Sequence, residues 1–68
     1  MKPLRLLPIR EVLTRTGLKR ATLYVYVKRG WFPKPVRIGP NRVGWVESEV
    51  EGWIRARIGE RDGEEAAA

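Results

Sequence analysis

Sixty-eight residues bound the chain to one small domain, whose core must rest on a few large side chains: three Trp, two Tyr and one Phe. The absence of Cys and His excludes disulfide stapling, thiolate chemistry and the common zinc sites, and suits a reducing cytoplasm. A net charge of +6 directs attention to a polyanionic partner.

Met1-Lys2-Pro3 lacks the apolar stretch of a secretory signal and no apolar run is long enough to span a bilayer, so a cytoplasmic protein without membrane contact is expected. Met1 to Leu7 is a short lead-in, broken by Pro3 and closed by Pro8. Pro8 suits the first position of a helix, where its missing N–H costs nothing, and Ile9, Val12 and Leu13 follow at the spacing of a buried helical stripe. This helix, about Pro8 to Arg15, closes at Thr16-Gly17, with Gly17 free to take the left-handed cap conformation.

Thr22 to Val27 is ambiguous, being entirely β-branched, aromatic or aliphatic. A strand would need burial on both faces, and a chain of this size has nothing to cover them with. A helix gathers Leu18, Leu23, Tyr26 and Val27 on one side, leaves Arg20, Ala21, Tyr24, Val25 and Lys28 on another, and ends in cations and Gly30. Helix is the expected state. Thr16 to Lys19 then has the length and composition of the turn in a helix-turn-helix.

Pro33 and Pro35 exclude regular structure from Trp31 to Pro35. Val36 to Ile38 and Val43 to Val46 read as a β-hairpin with a four-residue tip, Gly39 to Arg42. Ser48 and Glu51 have the spacing of a capping box that starts a third helix. That helix is expected to run to about Ile58, with Val50, Trp53, Ile54 and Ile58 inward. Residues 59–68 are acidic and small, and are expected to be disordered. The sum is a mainly α fold with a small β-hairpin, a winged helix-turn-helix over residues 1–58 followed by an acidic tail.

Charge follows this division. Between Val12 and Val46 there are eight basic residues (Arg15, Lys19, Arg20, Lys28, Arg29, Lys34, Arg37, Arg42) and no acidic one, whereas residues 59–68 carry −3. A one-signed middle in so small a domain points to a polyanionic partner. In a winged helix-turn-helix the second helix lies in the major groove. Lys19, Arg20, Ala21, Thr22, Tyr24 and Lys28 are therefore the candidate DNA-binding residues of that helix. Arg20 is the base reader, because a guanidinium pairs bidentately with guanine. Lys19 and Thr22 suit phosphates, as do Lys28 and Arg29. Thr22 serves the turn equally well, and Tyr24 suits packing as well as DNA. Arg37, Asn41 and Arg42 form the candidate wing site, Arg42 suiting a minor groove. The three Trp read as core, with Trp31 partly exposed. No catalytic, metal or cofactor constellation is present, so an enzyme is not expected.

Several stretches also resemble a family. Gly17-Leu18-x-Arg20-x-Thr22-x-Tyr24, Phe32-Pro33-x-Pro35 and Gly44-Trp45-x-x-Ser48-Glu49-Val50-x-x-Trp53 are similar to the AlpA-type prophage regulators, a branch of the small excisionase and MerR-like winged-helix proteins. The resemblance runs from about Leu6 to Arg57. It implies a double-stranded DNA-binding transcriptional regulator of a prophage or mobile element, acting as a monomer that binds repeated sites cooperatively. An excisionase-type directionality factor working with an integrase, or a small adaptor docking an acidic protein, are the alternatives. Two positions depart from the family: Lys19 stands where a capping Ser is common, and Trp31 where a polar residue is.

Overall fold

The structure is a computed structural model that describes residues 4–67, residues 64–67 by backbone alone. Residues 1–3 and Ala68, the outer ends of the expected lead-in and tail, lie outside the described residues. The elements run β1 (Leu6–Leu7), α1 (Ile9–Thr16), α2 (Arg20–Lys28), β2 (Val36–Gly39), β3 (Arg42–Val46) and α3 (Glu47–Ala67). This is the winged helix-turn-helix order read from the sequence, with one additional strand.

Pro8 is the cap of α1 rather than its first residue: it is extended, and its carbonyl accepts the N–H groups of Glu11 at 3.0 Å and Val12 at 3.1 Å. Gly17 ends α1 at φ 73°, its N–H donating to the Leu13 carbonyl at 2.8 Å. The ambiguous stretch is helical. Leu23 is buried with Leu18, Tyr26 and Val27 around it, while Arg20, Ala21, Tyr24, Val25 and Lys28 are exposed. That alternation every three to four residues is the helical period, and the burial outweighs a β-branched penalty of roughly 0.5 kcal/mol per residue. α2 ends in a Schellman motif. Gly30, at φ 76°, donates to the Val27 carbonyl, and the Trp31 N–H reaches back to the Tyr26 carbonyl at 2.8 Å.

β3 is the central strand of an antiparallel sheet ordered β1-β3-β2. β1, the strand the sequence does not announce, pairs Leu6 with Val46 and Leu7 with Trp45. The hairpin tip is tighter than four residues. Gly39 pairs with Arg42, so only Pro40 and Asn41 turn, and Asn41 takes a left-handed φ of 59°. A register shift between Arg37 and Gly39 leaves Ile38 bulged.

The start of α3 also differs. The helix begins at Glu47, whose N–H donates to the Arg5 carbonyl at 2.8 Å, so Ser48 lies inside the first turn and is not the cap. At its other end Ile58 is 44% exposed rather than inward, and the helix continues through 59–67, the segment expected to be disordered. Arg57 pairs with Glu60 at 2.8 Å one turn on, and Ala, Arg and Glu are good helix formers, which favours this continuation.

Leu7, Val12, Leu23, Phe32, Trp45 and Val50 form the buried core, one from each of β1, α1, α2, the proline linker, β3 and α3. Trp45 is the largest. Its indole N–H donates to the Pro33 carbonyl at 2.9 Å, and Trp53 does the same to the Trp31 carbonyl at 2.7 Å. Replacing Trp45 by Ala is therefore expected to cost about 3–5 kcal/mol and leave the domain largely unfolded. Far-UV circular dichroism against denaturant is the check; a folded variant near wild-type stability would remove Trp45 from this role.

Candidate nucleic-acid interface

The first turn of α2 lacks the groups that normally finish a helix. Lys19 is the N-cap, extended at φ −80° and ψ 154°, and it provides no side-chain cap; its carbonyl accepts the Leu23 N–H at 2.9 Å. No acidic residue lies in that turn. The free N–H groups and the positive end of the helix dipole thus face outward between Lys19 and Arg20, an arrangement suited to an anion. The turn itself is held by Thr16, which donates to the Val12 carbonyl at 2.8 Å and accepts the Leu18 N–H at 3.3 Å. Thr22, a candidate for that role, makes no hydrogen bond there and is half-buried.

Arg20, Tyr24 and Lys28 recur every four residues and form one exposed stripe along α2, Tyr24 being 47% exposed. Ala21 lies beside the stripe and is exposed too. On the hairpin, Arg37, Asn41 and Arg42 are brought together with Pro35, Gly39 and Val43 around one open groove of about 240 Å³. Arg37 pairs across the sheet with Val43, and the two-residue tip sets Asn41 and Arg42 side by side. Pro35 is a groove residue that sequence reasoning assigned only to the linker.

Counterions decide which cations remain available. Arg15 donates to Glu11 at 3.1 Å and to Glu47 at 3.0 Å, and lies 3.9 Å from Glu51. Its pKa is pushed above the usual arginine value, first by the hydrogen bond to Glu11, with burial opposing. Arg5 shares the same acids, at 3.4 Å from Glu47 and 3.6 Å from Glu11. Arg15 therefore drops out of the basic middle, a change legible beforehand only in the i,i+4 spacing of Glu11 and Arg15. Lys19, Arg20, Lys28, Lys34, Arg37 and Arg42 are exposed, and among the described residues none has an ion-pair partner. No described helix is long and apolar enough to cross a membrane.

Comparison with known proteins supplies a family. The family described as "Prophage CP4-57 regulatory protein (AlpA)" matches residues 5–58. A protein of Enterobacteria phage P4, "Uncharacterized protein ORF88", is 40% identical over 57 residues; the match covers 84% of this chain but 65% of the phage protein, just under two thirds of its length. The "DNA-binding transcriptional activator AlpA" of Escherichia coli (strain K12) is 34% identical over 59 residues, covering 78% of this chain and 84% of that protein. No solved structure matches the chain.

The uncapped helix start makes a prediction about stability. Lys19→Ser supplies the missing acceptor and is expected to stabilise the fold by about 0.5–1 kcal/mol, read as a higher melting temperature. An unchanged or lower value would mean that the α2 N–H groups are already satisfied.

Proposed function

The chain belongs to the AlpA family of prophage regulatory proteins, and from that premise we propose that it is a sequence-specific double-stranded DNA-binding transcriptional regulator of a prophage or mobile element. The observation that supports the reading is the set of exposed cations on α2 and the hairpin that have no ion-pair partner among the described residues, while Arg5 and Arg15 are neutralised elsewhere. The E. coli relative's description as a DNA-binding transcriptional activator supports it. A cytoplasmic location follows from the same reading.

In this account α2 enters the major groove by its N-terminal end. Phosphate oxygens meet Lys19 and the open N–H groups, whose partial positive charge is stronger for lacking an acidic neighbour. Arg20, on the same turn, pairs with guanine O6 and N7, and Tyr24, one turn on, contacts the next base or sugar. Lys28, about 12 Å along the axis from Arg20, meets the backbone where the groove curves away. The hairpin takes the adjoining stretch of DNA: Arg42 enters the minor groove, while Arg37 and Asn41, around the groove they share with Pro35, hold a phosphate. An excisionase-type role would use the same contacts, so the location of the preferred site separates the two jobs: a promoter supports regulation, and an attachment site supports excision.

The test is selection from a random duplex pool, with Arg20→Ala run in parallel. A defined motif is expected, with Arg20→Ala losing about 1–3 kcal/mol of specific affinity and blurring one position. Arg42→Ala is expected to weaken specific and nonspecific duplexes alike, and log K should fall by roughly 0.9 per phosphate contact for each tenfold rise in salt. Binding indifferent to sequence in the wild type, or a preference untouched by Arg20→Ala, would refute the assignment.

A further inference from the structure

Val25 is a core-type residue left outside the core. It sits in the middle of α2, 45% exposed, and is not among the side chains that form the core or pack against it. β-Branching also makes it a poorer helix former than Ala, so neither packing nor propensity accounts for it. A lone exposed valine would need no explanation, but its neighbours set this one apart. Ala21, one turn earlier on the same side of the helix, is exposed as well. Arg29, one turn later, is engaged by the Trp31 ring, its guanidinium 5.0 Å from the centroid.

Ala21 and Val25 each follow a member of the Arg20, Tyr24 and Lys28 stripe by one position, so they form a second row about 100° further around the axis. The outer side of α2 thus carries a short apolar strip beside a polar one. Cations frame it, Arg20 at one end and Lys28 at the other, and neither has an ion-pair partner among the described residues. Both side chains of the strip are short, which lets the helix backbone come close to whatever surface it meets, while the longer Arg20 and Lys28 reach past them.

We propose that Val25, with Ala21 beside it, reads the 5-methyl group of a thymine in the major groove, next to the guanine read by Arg20. The inference rests on the DNA-binding reading above and adds an apolar contact to its polar ones. The cationic frame selects a polyanion, and the major groove of a duplex is lined almost throughout by hydrogen-bonding edges. Its apolar feature is the thymine methyl group, which cytosine lacks at the same place on the ring. An apolar strip pressed into that groove therefore discriminates between the two pyrimidines. Val25 lies about 7.5 Å from Arg20 along the helix axis and base pairs are spaced about 3.4 Å apart. The thymine accordingly falls within about three base pairs of the guanine.

The test starts from the duplex preferred in selection on unmodified DNA, where thymine is the one source of a pyrimidine 5-methyl group. Each thymine is replaced in turn by deoxyuridine, which removes that methyl and leaves every hydrogen-bonding atom in place. One replacement, within about three base pairs of the Arg20-dependent guanine, is expected to weaken wild-type binding about fourfold. Val25→Ala should weaken binding to the parent duplex by a similar factor and be indifferent to the same replacement, so that the two changes together cost no more than either alone. The melting temperature of Val25→Ala should be unchanged or slightly raised, because Ala is the better helix former; this separates a lost contact from a lost fold. Equal wild-type affinity for the thymine and uracil duplexes at every position overturns the proposal and leaves DNA binding standing. So does a Val25→Ala protein as sensitive to uracil at that position as the wild type. A wild type that selects no motif removes the DNA reading, and this inference with it.

Discussion

Two indole N–H groups tie down the one stretch between α2 and the hairpin that forms no helix or strand. Between α2 and the hairpin the chain passes through Trp31 to Pro35, where two prolines remove backbone donors and no sheet or helix ladder can form. Trp45 donates to the Pro33 carbonyl and Trp53 to the Trp31 carbonyl, one from β3 and one from α3. Phe32, between the two anchored carbonyls, is thereby buried, its ring 4.9 Å from that of Trp53. The linker fixes how the end of α2 sits against the hairpin. Both candidate DNA-binding projections consequently depend on side chains that face the core rather than the ligand.

The stripes of α1 and α2 were legible because their signal is local: a helical period shows in any short window, even where propensity favours strand, as in Thr22 to Val27. Gly17 and Gly30 were legible for a similar reason, since a helix end needs a residue tolerant of positive φ. What was not legible depends on pairing between distant segments. Leu6-Leu7 is a strand only because Trp45 and Val46 lie alongside it. Once Val46 is paired there, the Arg5 carbonyl meets the Glu47 N–H, and α3 starts ahead of Ser48 without using its hydroxyl. The tight tip and the bulge at Ile38 likewise express register, which the amino acids of one strand do not specify alone.

The candidate site was legible as a list of residue types and illegible as a charge distribution. Counting cations from Val12 to Val46 treats Arg15 like its neighbours, whereas folding brings Glu47 from the far side of the hairpin to within 3.0 Å of it. The acids that stabilise the junction of α1 and α3 are thus committed to Arg5 and Arg15, and α2 and the hairpin keep their charge. Lys19 shows the same preference at a single position. A capping side chain would quiet the N-terminal N–H groups of α2, and a lysine leaves them open while adding a cation, giving up local stability at a site suited to anions.

Among the described residues the acids are kept away from the exposed cations of α2 and the hairpin. Glu11 and Glu47 lie where they neutralise framework arginines, and the acids of residues 59–63 lie on a helix segment that touches no part of the core. Had either group stood beside Arg20 or Arg42, the field that attracts a polyanion would be cancelled locally, since unit charges about 4 Å apart interact far more strongly than charges separated by a Debye length. A core of six buried side chains leaves little room to carry charges without a purpose in folding or binding. Residues 55–63 of α3 are exposed and add no side chain to the core. Among the described residues Arg57 pairs with Glu60 and lies over the Trp53 ring, and Arg61 pairs with Asp62.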